Sequence, residues 1–172
     1  MYLQRQPYGC GIYSVANALC LDNFVTESRI EESKAGTNIG NLAVYLQEDE
    51  KDLYVDVLYM NCFGGKLPND ILTMRAEREG AAIPLLLNVT TKEDTKNHLV
   101  GIYLTHTGVV LVMDSLKEKP YASTLSKINN DYFSVFGIFD FVQLSNSNRI
   151  DFDLSELPKE RIQLLDEYLN QV

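Results

Sequence analysis

Cys10 stands between two glycines, in Gln4-Arg5-Gln6-Pro7-Tyr8-Gly9-Cys10-Gly11-Ile12. A thiol at the first turn of a helix meets unpaired N–H groups and the positive end of the helix dipole. Both favour thiolate, and an ordinary thiol pKa of about 8.5 can fall to roughly 3.5–7.5 in such settings. A thiolate nucleophile needs a base, and the base needs an orienting partner. The chain has two histidines, His98 and His106. His106 belongs to the turn His106-Thr107-Gly108, whereas His98 opens an apolar segment directly after a polar loop. Asp114 closes the following apolar segment. A three-residue hairpin loop with Gly108 in the left-handed position pairs Thr105 with Val109. In that register His98 and Asp114 are diagonal neighbours on one face, about 7–8 Å apart at the backbone. Together these residues suit acyl transfer. Cys10 attacks a carbonyl, His98 holds the thiolate and protonates the leaving amine, and Asp114 orients the imidazole. The tetrahedral oxyanion needs donors already in place, each worth about 3–4 kcal/mol in measured cases. The Cys10 backbone N–H is one. The second is a Gln amide upstream, either Gln4 or Gln6. Gly9 and Gly11 leave room for a substrate backbone beside the sulfur, so Gln6, Gly9 and Gly11 are the candidate substrate-binding residues.

The elements that must position these groups follow from periodicity. Ile12, Val15, Ala16 and Leu19 fall at helical spacing, and Pro7 with the glycines keeps the preceding segment out of that helix. One or two further helices are expected over Thr26–Gln47, then a strand over Leu53–Met60 with Asp56 outward. Cys62–Pro68 reads as a loop, and Asp70–Glu79 as a helix stopped by Gly80. Strands are expected at Ile83–Val89, Asn97–Thr105, Val109–Asp114 and Phe136–Leu144. A polar loop, Thr90–Lys96, flanks His98 and is placed to gate access. An acidic tail from Asp151 carries a helix over Leu157–Asn170. Helices first and a mainly antiparallel sheet second make an α+β domain, one unit over residues 1–172.

Composition narrows the function classes. A net charge of −9 argues against non-specific nucleic-acid binding, which depends on Lys and Arg neutralising phosphates. The sequence contains no apolar run long enough to span a membrane and opens without a signal-peptide pattern, so a cytoplasmic protein is expected. The three cysteines show no zinc-like spacing. No metal and no cofactor are expected. The expected partner is a peptide or protein substrate, and oligomeric state is open.

The order Gln, Cys-Gly, His, Asp resembles a papain-like cysteine peptidase. It is most similar to the peptidase domains that process bacteriocin leader peptides after a double glycine. Those domains carry Gln six residues before Cys and Asp about sixteen after His, the spacings of Gln4 to Cys10 and His98 to Asp114 here. The resemblance implies Gln4 as oxyanion donor, Cys10 as nucleophile, His98 as base and Asp114 as orienting acid, on a papain-like fold. The family commonly has Asp before the Cys and Pro after the Asp, where this chain has Gly9 and Ser115. Two other readings share these residues: a peptide-binding module that no longer cuts, and a thiol acyl-transfer enzyme of amidase or transglutaminase type.

Overall fold

The computed structural model describes residues 1–60, 65–68, 72 and 80–170. Among these, helices α1 (Cys10–Leu19), α2 (Glu27–Glu32) and α3 (Ile39–Asp49) precede strand β1 (Leu53–Met60). Strands β2 (Ala81–Thr90), β3 (Asn97–Thr105), β4 (Val109–Met113) and β5 (Tyr121–Thr124) follow. Helix α4 (Leu125–Asp131), strands β6 (Ser134–Gln143) and β7 (Phe152–Asp153), and helix α5 (Lys159–Leu169) complete the order. The expected loop at Cys62–Pro68 lies partly, and the helix expected over Asp70–Glu79 almost wholly, outside the described residues. Gly80 at that helix's expected end has a φ of 77°.

The strands form one sheet in the order β1-β6-β2-β3-β4-β5, with β7 added beside β2. All the described pairings are antiparallel, so the domain is α+β. Pro84 has no N–H to give a ladder. It falls between the stretch of β2 paired with β7 and the stretch paired with β6. Apolar side chains cover both faces. One cluster packs Ile12, Val15, Leu42, Leu46, Tyr103 and Leu165. The other packs Leu87, Val100, Ile102, Val112, Ile128 and Tyr132. A strand covered on both faces reads as a nearly continuous apolar run. That is the pattern of β3, buried from His98 to Thr105.

Helix α1 is expected to be amphipathic but is buried from Gly11 to Leu19. Its second side is covered by the N-terminal segment: Tyr2 N–H donates to Asn17 Oδ1 at 2.6 Å, and Asn17 Nδ2 donates back to the Tyr2 carbonyl at 3.0 Å. Against the sheet, Ser14 Oγ donates to the Leu99 carbonyl at 2.6 Å. Gly101 permits the close approach, because a Cβ there would lie 2.9 Å from the Ser14 carbonyl oxygen and 3.4 Å from the Ala18 Cβ. Gly101→Ala is expected to push α1 off β3 and cost about 1–3 kcal/mol, as overpacked cores do. Thermal unfolding measures this at roughly 2–4 °C per kcal/mol for a domain of this size. An unchanged Tm would mean that the helix moves aside at no cost.

Candidate active site

Gly9 precedes α1 with a φ of 87°, in the left-handed region, and no side chain caps the helix start. A Cβ at this position would also lie 2.9 Å from Ile30 Cδ1. Glycine is therefore demanded here by backbone conformation and by space. No N-cap side chain takes up the first-turn N–H groups. Cys10 and Ser14 are one turn apart on the same helix face, so the bond from Ser14 to the Leu99 carbonyl fixes where Cys10 lies. It sits about 6 Å further along the helix axis, where its sulfur meets the His98 ring and the Leu99 N–H in the first residues of β3. Cys10 and His98 accordingly line one cleft of about 690 Å³.

The hairpin has the expected register. Leu104 pairs with Val110 and Gly101 with Met113, and Gly108 adopts a φ of 76°. His98 and Asp114 become the diagonal neighbours that this register requires. His98 Nε2 lies 2.8 Å from Asp114 Oδ1, so Nδ1 is the ring nitrogen left for the thiol. The pair stands at the sheet's rim by position, yet His98 is only 5% and Asp114 only 2% exposed. A tight turn fixes the carboxylate: Leu116 N–H donates to Asp114 Oδ1 at 3.0 Å, and Lys117 N–H to the Asp114 carbonyl at 2.9 Å. Tyr132 donates its hydroxyl to Asp114 Oδ2 at 2.8 Å. The sequence reading leaves Tyr132 unassigned, along with β5 and α4. Its signal is Thr124 as helix cap followed by Leu125, Ile128 and Tyr132 at helical spacing.

Charge follows from these contacts. Burial pushes the Cys10 thiol up, but the hydrogen bond and charge of His98, with the backbone N–H groups of Leu99 and Gly11, hold it below its ordinary value. Burial pushes His98 down, and the Asp114 carboxylate and the Cys10 sulfur overcome that and carry it up to about 9. Burial raises Asp114, whereas His98, Leu116 N–H and Tyr132 together keep it below the ordinary carboxylate value. Each shift favours the charged form of its group: thiolate, imidazolium and carboxylate in sequence.

The other predicted residues are placed differently. Gly9 lines the cleft with Pro7 and Tyr8. Gly11 does not open onto it: a Cβ there would lie 2.6 Å from Thr37 Cγ2 and 3.0 Å from Leu99 Cδ1, so this glycine serves helix packing. Gln4 and Gln6 line a separate cavity beside Tyr13. Gln4 N–H donates to the Ser115 carbonyl at 2.9 Å, Ser115 Oγ donates to Gln4 Oε1 at 3.2 Å, and Gln4 Nε2 donates to the Gln6 carbonyl at 2.8 Å. Gln6 Oε1 accepts from the Tyr13 hydroxyl at 3.1 Å. The structure thus brings Cys10, His98 and Asp114 together and turns both glutamine amides elsewhere. Among the described residues no group of three His, Cys, Asp or Glu side chains is placed to hold a metal ion. No helix among them is long and apolar enough to cross a membrane.

No family model and no curated protein matches the chain. Among solved structures it is similar to the Pseudomonas avirulence protein AvrPphB, at 10% identity and a TM-score of 0.30, over 76% of this chain and 87% of that one. So remote a likeness says nothing about the residues of the site.

Proposed function

We propose that the protein is a papain-like cysteine peptidase that hydrolyses a peptide bond through Cys10, His98 and Asp114. The observation that carries this reading is the buried bond of 2.8 Å between His98 Nε2 and Asp114 Oδ1, with Cys10 in the cleft that His98 lines. The Cys10 thiolate attacks the substrate carbonyl carbon, and the carbonyl π electrons move to oxygen. The oxyanion accepts from the Cys10 backbone N–H. As the tetrahedral species collapses, His98 gives its Nδ1 proton to the departing amine, leaving a thioester on Cys10. Water then attacks the thioester while His98 takes its proton. The acid is released and the thiolate–imidazolium pair returns. Gln4 is the second oxyanion donor in this reading, its amide turning from the Gln6 carbonyl toward the cleft. Around the sulfur the cleft mixes apolar Val57, Met60 and Phe139 with the carboxamides of Asn38, Asn88 and Asn97. That lining suits an extended peptide, whose backbone needs hydrogen-bond partners and whose side chains need apolar contact.

Cys10→Ala is expected to abolish cleavage in a proteome-wide comparison of new peptide termini while leaving Tm within a few degrees. Equal cleavage by both proteins would overturn the reading. Turnover is expected to rise as pH passes the lowered thiol value and to fall as His98 loses its proton near pH 9. Asp114→Asn removes the charge that supports the imidazolium, so iodoacetamide labelling of Cys10 at pH 6 should slow by about tenfold. An unaltered rate would mean that Asp114 has no hold on the pair. Gln4→Ala should lower kcat by about 10²–10³-fold with Cys10 labelling unchanged. A kcat equal to wild type would assign the second donor elsewhere.

A further inference from the structure

We propose that Tyr132 is a positioning residue for this chemistry, holding the second oxygen of Asp114 so that the carboxylate stays ionised and aimed at His98. This inference rests on the peptidase reading. Asp114 is almost wholly inside the protein, and its two oxygens are not equivalent. Oδ1 accepts from His98 and from Leu116 N–H, while the hydrogen bond at Oδ2 comes from the Tyr132 hydroxyl. An ionised carboxylate with one bare oxygen is costly to bury. It can recover the loss by taking up a proton or by rotating about the Cβ–Cγ bond, and rotation breaks the line to His98.

The tyrosine is itself anchored to the end of the sheet that carries the site. Its N–H donates to the Ile128 carbonyl at 3.3 Å, capping α4. The next residue, Phe133, donates its N–H to the Thr90 carbonyl at 2.9 Å. Thr90 pairs with Asn97, the neighbour of His98. The phenol ring is 5% exposed and packs in the apolar cluster that also holds Val100 and Val112. Its hydroxyl is therefore fixed in relation to both strands that supply the pair.

Other ionisable groups face Asp114 from each element around it. His98 comes from β3 and Tyr121 from β5. Lys92, Glu93 and Asp94 come from the loop before β3, Lys117 from the following turn, and Asp131 from the end of α4. All of these but His98 line a cavity of about 680 Å³ that Asp114 and Tyr132 also line. Tyr121 donates its hydroxyl to Asp131 Oδ2 at 3.3 Å and also hydrogen-bonds the Tyr132 side chain. The His98 ring and the Tyr132 hydroxyl are the side chains that hydrogen-bond the carboxylate among the described residues.

Tyr132→Phe keeps the ring and removes the donor. Iodoacetamide labelling of Cys10 is followed from pH 4 to 9 in wild type, Tyr132→Phe and Tyr121→Phe. Without the donor, Asp114 takes up its proton at higher pH, support for the imidazolium is lost earlier on acidification, and the acid midpoint of labelling moves up. Labelling at pH 5 should fall by about tenfold in Tyr132→Phe. Tyr121→Phe removes a neighbour of the Tyr132 hydroxyl but leaves its bond to Asp114, so its midpoint should move less than that of Tyr132→Phe. A purely structural role for Tyr132 would lower Tm and leave the labelling profile of the folded protein in place. Superimposable profiles for wild type and Tyr132→Phe would therefore overturn the inference while leaving the peptidase reading intact. Ordinary thiol reactivity of Cys10 in the wild type would sink the peptidase reading itself, and this inference with it.

Discussion

The hydrogen bond between His98 Nε2 and Asp114 Oδ1 is the constraint around which the described structure is arranged. Two ionisable groups buried this deeply lose several kcal/mol each in desolvation, and only good geometry with further hydrogen bonds offsets it. The carboxylate accordingly receives an imidazole, a backbone N–H and a phenol. An apolar pair at the end of β3 and β4 would pack more cheaply. The strands are otherwise apolar on that face, with Val100, Ile102 and Leu104 facing Val110 and Val112. The polar pair thus interrupts a surface built for packing.

Placing sulfur against that pair is a separate task, and α1 performs it. The Cys10 side is fixed by Ser14 on the Leu99 carbonyl, by the absence of a Cβ at Gly101, and by Asn17 clasping the Tyr2 backbone. None of these contacts touches the Cys10 sulfur or the His98 ring. They set the helix at one height and one rotation relative to β3, so that the first turn brings Cys10 to His98 and the Leu99 N–H. The left-handed Gly9 leaves the first-turn N–H groups uncapped, available to sulfur or to an oxyanion. The glycine before the cysteine has a physical cause. A side chain at position 9 would meet both an unfavourable φ and Ile30.

Much of this is legible in the chain because it is local. The helical spacing of Ile12, Val15, Ala16 and Leu19 starts α1 at Cys10, and the turn His106-Thr107-Gly108 fixes the β3–β4 register. From that register the adjacency of His98 and Asp114 follows without further information. The Gln4 amide was not legible. Its spacing from Cys10 is a local feature of the chain, but its direction depends on Ser115, more than a hundred residues away. Gly11 looks like room for substrate and instead admits Thr37 and Leu99. Tyr132 lies beyond a short helix whose cap and three apolar positions were its only signal.

The sequence by itself determined the helix start at the cysteine, the hairpin, and the spacing that sets His98 diagonal to Asp114. Backbone preference and the periods of helix and strand act over a few residues and need no partner. Only the tertiary structure decided that the pair is buried, that α1 is covered on both sides, and which way each glutamine turns. It also decided that a phenol from α4 completes the carboxylate's hydrogen bonds. Burial and hydrogen-bond direction depend on which distant segments arrive at the same place, and no local pattern in the chain encodes that meeting.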